Sequence, residues 1–224
     1  MPYRTQPFVQ GEIYHIFNRS IASQPIFKNQ KDYQRIIEVI NFYRFKKLPL
    51  RYSHYKRLPK DQKNEFYANY LIKNSPMLEI ICFCIMPNHF HFLLKPFEKN
   101  AISDFMRNLQ NSYSKYYNTK YGRTGSLFQF MFKAVRIETN EQLIHVSRYI
   151  HLNPVTAYLF EIDQLTNHLW SSFKDYIFDE GDFPFVKPDL VLNQFKSKED
   201  YRKFVFDQSN YQRELEKLRH LTLE

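Results

Sequence analysis

Two apolar runs, residues 77–85 (MLEIICFCI) and 90–94 (FHFLL), lie almost end to end, joined at Met86-Pro87-Asn88. Each is too short to cross a bilayer and long enough for one buried strand. Their near-continuous hydrophobicity predicts strands covered on both faces. A chain built around such a pair needs further layers on either side of it.

The flanking segments supply those layers. Residues 12–18 (EIYHIFN) alternate as a strand does. In residues 29–45, Tyr33, Ile36, Ile37 and Ile40 recur at helical spacing. Residues 101–121 do the same through Ile102, Phe105, Met106 and Leu109. The stretch from about 47 to 76 is polar, basic and proline-bearing, and reads as an insertion with a helix over 61–74. Gly122 and Gly125 in YGRTGS predict a loop, with a strand over 130–137 after it. A helix over 141–152 is predicted to end or kink at Asn153-Pro154, because a residue before proline avoids the α region. Ser197 with Asp200 resembles a capping box that opens a last helix through about Asp207. The order is strand, helix, insertion, strand, strand, helix, strand, helix. That is the split βαβ pattern of an α+β, ferredoxin-like antiparallel sheet with one added helix. The division expected is a catalytic domain over 1–176 and a mostly helical C-terminal extension over 177–224.

Composition narrows the partner. Lys and Arg number 32 against 23 Asp and Glu, a net charge of +9, and there are 17 Tyr and 22 Phe. Positive charge among aromatic rings suits a polyanion whose bases can stack. The two cysteines, Cys82 and Cys84, are too close for a disulfide framework. The first residues lack the apolar core of a secretory signal. A soluble, cytoplasmic protein is expected.

Two constellations carry chemistry. In His89-Phe90-His91 the imidazoles stand two apart, so on a strand both project to one face and can reach one divalent cation. Alone the pair is a weak signal, since paired strand histidines are more often packing or surface groups. His145, Tyr149 and Asn153 are spaced four apart and form one stripe on a helix. A phenol with a pKa of about 10 is a poor nucleophile at neutral pH. A cation that neutralises the attacked phosphate makes its attack feasible. Asn153 offers a carbonyl oxygen from the same helix, and His145 a candidate for assisting proton transfer. Read without further support, Tyr149 is one of 17 tyrosines and Asn153 an ordinary helix end.

The further support is a family resemblance. MPNHFHFLLKP followed by YIHLNPVTAYL resembles the REP-associated tyrosine transposases, within the HUH superfamily of single-strand transposases. YHIFNRS at 14–20, YNTKYGRTGSLFQ at 117–129 and WSSF at 170–173 extend the likeness over about residues 12–176. The resemblance implies that His89 and His91 are a metal-binding pair, that Asn153 is the third ligand, and that Tyr149 is the nucleophile. It implies a divalent ion, Mg2+ or Mn2+, and a 5′-phosphotyrosine intermediate formed on single-stranded or hairpin DNA, with dimerisation left open. The family commonly has tryptophan and arginine where this chain has Phe128 and Met131, a departure that bears on one presumed DNA contact and not on the chemistry.

Residues 44–60 (RFKKLPLRYSHYKRLPK) hold seven Lys or Arg and no acid. Arg51, Lys56 and Arg57 in this segment are candidate DNA contacts. Arg123, Lys133, Arg136 and Arg148, beside the motifs, are further ones. Two rivals stand against a strand transferase. One is a catalytically silent protein that binds hairpin DNA. The other is a structural zinc module in which Cys82 and Cys84 join the histidines, which needs a two-residue turn that pairs Cys84 with His91.

Overall fold

The computed structural model describes residues 7–207. Strand β1 (Ile13–Arg19) leads into helix α1 (Gln30–Tyr43), whose start is capped by Asn29: its side chain accepts from the Asp32 amide. Two short helices follow, α2 (Tyr52–Tyr55) and α3 (Lys60–Phe66), then a π-helical turn at Tyr67–Ile72. The single helix expected over 61–74 is therefore two segments of different winding. Strands β2 (Leu78–Met86) and β3 (His89–Pro96) precede α4 (Ala101–Lys120), β4 (Lys133–Ile137) and α5 (Asn140–Thr156).

The four strands form one antiparallel sheet in the order β2-β3-β1-β4. This is the α+β, ferredoxin-like arrangement. Successive strand residues face opposite ways, so His91 and Phe92 divide the two faces. On the Phe92 side its ring meets Phe105 of α4 at 6.0 Å, and α1 packs along α4. On the His91 side lies α5, whose Tyr149 ring is 5.5 Å from that of His91. Every residue of β2 except Glu79 is buried, in keeping with its unbroken apolar run.

The segment after α5 protects the outer edge of β2. Ile85 donates its amide to the Trp170 carbonyl, and Ser172 donates to that of Phe83. Pairing this edge removes a template for aggregation. Helices α6 (Phe173–Ile177), α7 (Asp189–Leu192) and α8 (Lys198–Phe206) then return toward α5. Ser197 caps α8 by accepting from the Asp200 amide. The extension expected through 224 lies outside the described residues beyond 207.

Three boundaries differ from expectation. The turn between β2 and β3 has two residues, with Met86 opposite His89. Strand β4 starts at Lys133, not 130, because Met131 takes a φ of +59° and turns Phe130 outward. Helix α5 does not end at Asn153 but continues through Pro154 to Thr156. Proline removes one amide donor, yet the Asn153 carbonyl receives both the Ala157 amide and the Thr156 hydroxyl. Residues Asn153 to Thr156 are all buried, and that packing holds the last turn.

Candidate active site

The site is assembled where α5 crosses the end of the β2–β3 pair. The tight turn puts His89 and His91 on one face of β3, and the uninterrupted helix puts Asn153 one turn beyond Tyr149. Hydrogen bonding then orients the side chains around His89. Asn153 Nδ2 donates to the Tyr149 carbonyl at 2.9 Å, which aims Oδ1 the other way, at His89 Nε2, 3.4 Å off. Asn88 Nδ2 donates to the Ser23 carbonyl at 2.9 Å, which leaves its Oδ1 2.6 Å from His89 Nδ1.

His89 thus faces an amide oxygen with each ring nitrogen. Burial, with the charge of Arg19 added, pulls its pKa down to about 4 against the opposing contact with Asn153, and keeps the ring neutral. A neutral imidazole has a single N–H, and the 2.6 Å contact to Asn88 claims it. In the tautomer with hydrogen on Nδ1, Nε2 turns a lone pair toward Asn153 Oδ1, an arrangement that a cation between them satisfies. Two ligand atoms, each about 2.1 Å from one ion, lie roughly 3.0–3.4 Å apart. The observed 3.4 Å fits that spacing, so these residues suit a divalent ion.

His91 is 5% exposed, and its Nδ1 lies 2.9 Å from Nε2 of His15 on β1. Phe17, its partner across the strands, stacks on the His91 ring at 5.4 Å. The Tyr149 ring stands edge-on to both His91, at 5.5 Å, and His15, at 6.0 Å. The nucleophile candidate and the histidine pair are thus brought together within one chain.

The family model described as IS200-like transposase matches residues 52–153, a stretch that holds His89, His91, Tyr149 and Asn153. That stretch is similar to the IS200-like transposases. The family likeness read from the motifs is borne out by that match. Among solved structures, the chain is similar to one of a REP-associated tyrosine transposase bound to a REP hairpin. The identity is 15% and the TM-score 0.54, over 84% of this chain and 98% of that one, a likeness that shows the fold. No curated protein matches.

Other expected site residues are dispersed. His145 is exposed; its Nδ1 accepts from Arg148 at 2.7 Å, and its ring packs on Phe204. Arg148 is not on an open surface. It is 7% exposed, donates to the Phe204 carbonyl and covers the Phe204 ring at 4.2 Å, so it ties α5 to α8. Arg51 lines a groove of about 660 Å³ with Arg35, Lys115 and Lys120, on the side of α1 and α4. Lys56 is held by Glu38 at 2.6 Å, and Arg57 bonds the Ser53 carbonyl. Arg123 braces the glycine loop through Asn118 and Ser126. Arg136 pairs with Glu12 at 2.9 Å. Lys133 lies over the Phe17 ring and is the nearest of these cations to the histidines along the sheet.

Cys84 is indeed opposite His91. Both cysteines are nevertheless fully buried apolar strand residues, and burial raises their thiol pKa values. Among the described residues no three His, Cys, Asp or Glu are gathered for a metal, which removes the zinc-module reading. No helix among them is long and apolar enough to cross a membrane. Sequence reasoning passed over His15 and Asn88. Their signals were the alternation of the strand 12–18 and an amide in the turn before the histidine pair.

Proposed function

We propose that the chain is a metal-dependent single-stranded DNA endonuclease and strand transferase, a transposase acting through a 5′-phosphotyrosine on hairpin or repeat DNA. The observation that carries this reading is the approach of the Tyr149 ring to His91, beside His89 Nε2 and Asn153 Oδ1 at 3.4 Å. The hairpin held by the similar solved structure supports the substrate class.

A divalent ion, Mg2+ or Mn2+, held by His89, His91 and Asn153 would neutralise phosphate charge as the phosphorus is attacked. The residues do the rest. Tyr149 Oη bonds to phosphorus, the P–O3′ bond breaks, the phenol proton is lost, and the departing 3′ oxygen takes up a proton. The products are a 5′-phosphotyrosine and a free 3′-hydroxyl. Attack by a 3′-hydroxyl on that phosphotyrosine reseals or transfers the strand and releases Tyr149. Helix α5 fixes the nucleophile and Asn153 in one register, so positioning contributes without rearrangement. One chain brings nucleophile and histidines together, which supports cleavage by its own Tyr149.

The test is incubation of the protein with single-stranded hairpin DNA and Mg2+ or Mn2+, followed by denaturing electrophoresis. A covalent protein–DNA adduct is expected. Binding of the hairpin without an adduct under either ion would make the chain a silent hairpin-binding protein.

A further inference from the structure

The face of the sheet that holds the histidine pair also carries a cation on the neighbouring strand. Arg19 of β1 stands directly across from His89. Residues opposite one another on paired strands share a face, with Cβ atoms about 4.5–5.5 Å apart. We propose that Arg19 is a further catalytic residue, whose guanidinium grips the non-bridging oxygens of the attacked phosphate from the side of β1. The inference rests on reading His89 as a ligand of an ion and phosphate as the group attacked.

Position and charge support that role. Arg19 is exposed, while Asn18 and Ser20 on either side of it are buried. Its backbone is pinned at both ends. The amide donates to Asn18 Oδ1 at 2.9 Å, and the carbonyl accepts from the Gln129 amide at 2.9 Å. Ser20 donates its own amide to the Asn88 carbonyl at 2.8 Å, in the turn just before His89. The base of the arginine is thus fixed relative to the histidine. Its charge is felt at His89, where it opposes protonation. The same repulsion acts on an ion held there, so Arg19 does not help to bind the metal. An anion between the two positive centres relieves the repulsion. A phosphodiester can give one non-bridging oxygen to the ion and the other to the guanidinium, whose planar donors match phosphate geometry. Charge builds on those oxygens as the phosphorus is attacked, which is where fixed donors contribute most. Lys133, one strand further from His89 and over the Phe17 ring at 5.9 Å, continues the positive track along this face. Among the described residues neither cation is in an ion pair, whereas Lys56, Lys120 and Arg136 are held by Glu38, Asp32 and Glu12.

Two measurements on the parent, Arg19→Gln and Arg19→Lys test the assignment. The first is single-turnover adduct formation at saturating hairpin DNA with Mn2+. Glutamine should slow it roughly 100–1,000-fold, and lysine, with charge but no planar fork, should recover only part of the rate. The second is Mn2+ affinity without DNA, read by electron paramagnetic resonance. Arg19→Gln should bind Mn2+ at least as tightly as the parent, because a repelling charge has gone. A parental rate in Arg19→Gln would overturn the proposal; so would weaker Mn2+ binding, which would make Arg19 a support of the metal site. Should glutamine prevent folding, a lysine variant as fast as the parent would likewise contradict the role of the guanidinium. If the parent forms no adduct, the strand-transferase reading fails by itself, and metal-free hairpin binding decides on Arg19. Loss of one phosphate contact should then lower the slope of log K against log salt by about 0.7–0.9, and an unaltered slope would overturn the contact.

Discussion

His89 lies beneath α5 and His151 on its buried face, and burial lowers both pKa values, to about 4 and about 3. They differ in what their nitrogens meet. His151 has a hydroxyl on each side, Tyr201 at 2.8 Å and Ser172 at 3.0 Å, and a hydroxyl can either give or take a proton. Its ring is satisfied whichever tautomer it adopts, and it locks α5 to α8 and to the edge of β2. His89 faces two amide oxygens whose own donors are committed to backbone carbonyls. One of its nitrogens lacks a proton donor and faces an oxygen. A perturbed pKa marks both residues; only the unmet valence marks a place for a cation.

The strongest way to break this contrast is to delete one member of the pair. His89→Ala or His91→Ala should lower adduct formation by roughly a thousandfold or more, since charge neutralisation at phosphate contributes several kcal/mol. Circular dichroism should show an intact fold, and the double variant should be little worse than either single one. Unchanged cleavage in either single variant would take the histidines out of the mechanism.

His151→Leu should do the reverse. The Ser172 and Tyr201 hydroxyls each lose a buried partner, at a cost of about 1–3 kcal/mol in stability. Adduct yield per folded molecule should stay at the parental level. Denaturant titration beside adduct assays separates the two; an adduct defect in a fully folded variant would show that His151 belongs to the chemistry.

Acidification sharpens the comparison further. His15, His89, His151 and His168 all have pKa values lowered from 6.5 by burial, the first two and His168 to about 4. Between pH 6.5 and 4 the unfolded chain takes up protons that the folded chain refuses. Stability should therefore fall as pH falls through that window, by about 1.4 kcal/mol per unit for each such histidine. Asp175, raised to about 6 by burial, works in the opposite direction from pH 6 downward. Unfolding free energies at pH 7, 6 and 5 in the presence of a chelator check the sign, and a flat profile would contradict the burial.

Much of the site was legible because it is local. Period two on β3 pairs His89 with His91, and period four on α5 aligns Tyr149 with Asn153, whatever the rest of the chain does. The four-stranded order followed from the alternation of patterns. What escaped depends on distant partners. His15 meets a residue 76 positions away, and only the β1–β3 register brings them together. Arg148 looked like a phosphate contact because nothing near it in sequence announces that Phe204 covers it. Pro154 looked like a helix end because propensity is local, whereas the buried last turn of α5 is held by packing.

The smallest effect should be on DNA affinity. Replacing Arg51, Lys56 and Arg57 with glutamine should flatten the dependence of log K on log salt by up to about 0.7–0.9 for each phosphate that is no longer neutralised. Lys56, held by Glu38, should contribute least. Arg148→Gln should leave the slope unaltered, because that guanidinium faces α8. An unchanged slope in the triple variant would make this segment a solvated surface.

The central claim is that Tyr149 attacks phosphate beside the histidine pair. Its most direct test is the hairpin-adduct reaction run with the parent and with Tyr149→Phe, joined to peptide mapping of the product. Phenylalanine keeps the ring that packs edge-on against His91 and removes only the attacking oxygen. The variant should fold, bind Mn2+ and bind hairpin DNA as the parent does, yet form no adduct, and the parental phosphate should map to Tyr149. An adduct on Tyr149→Phe, or a phosphate mapped to Tyr113, Tyr116 or Tyr158, would contradict the account.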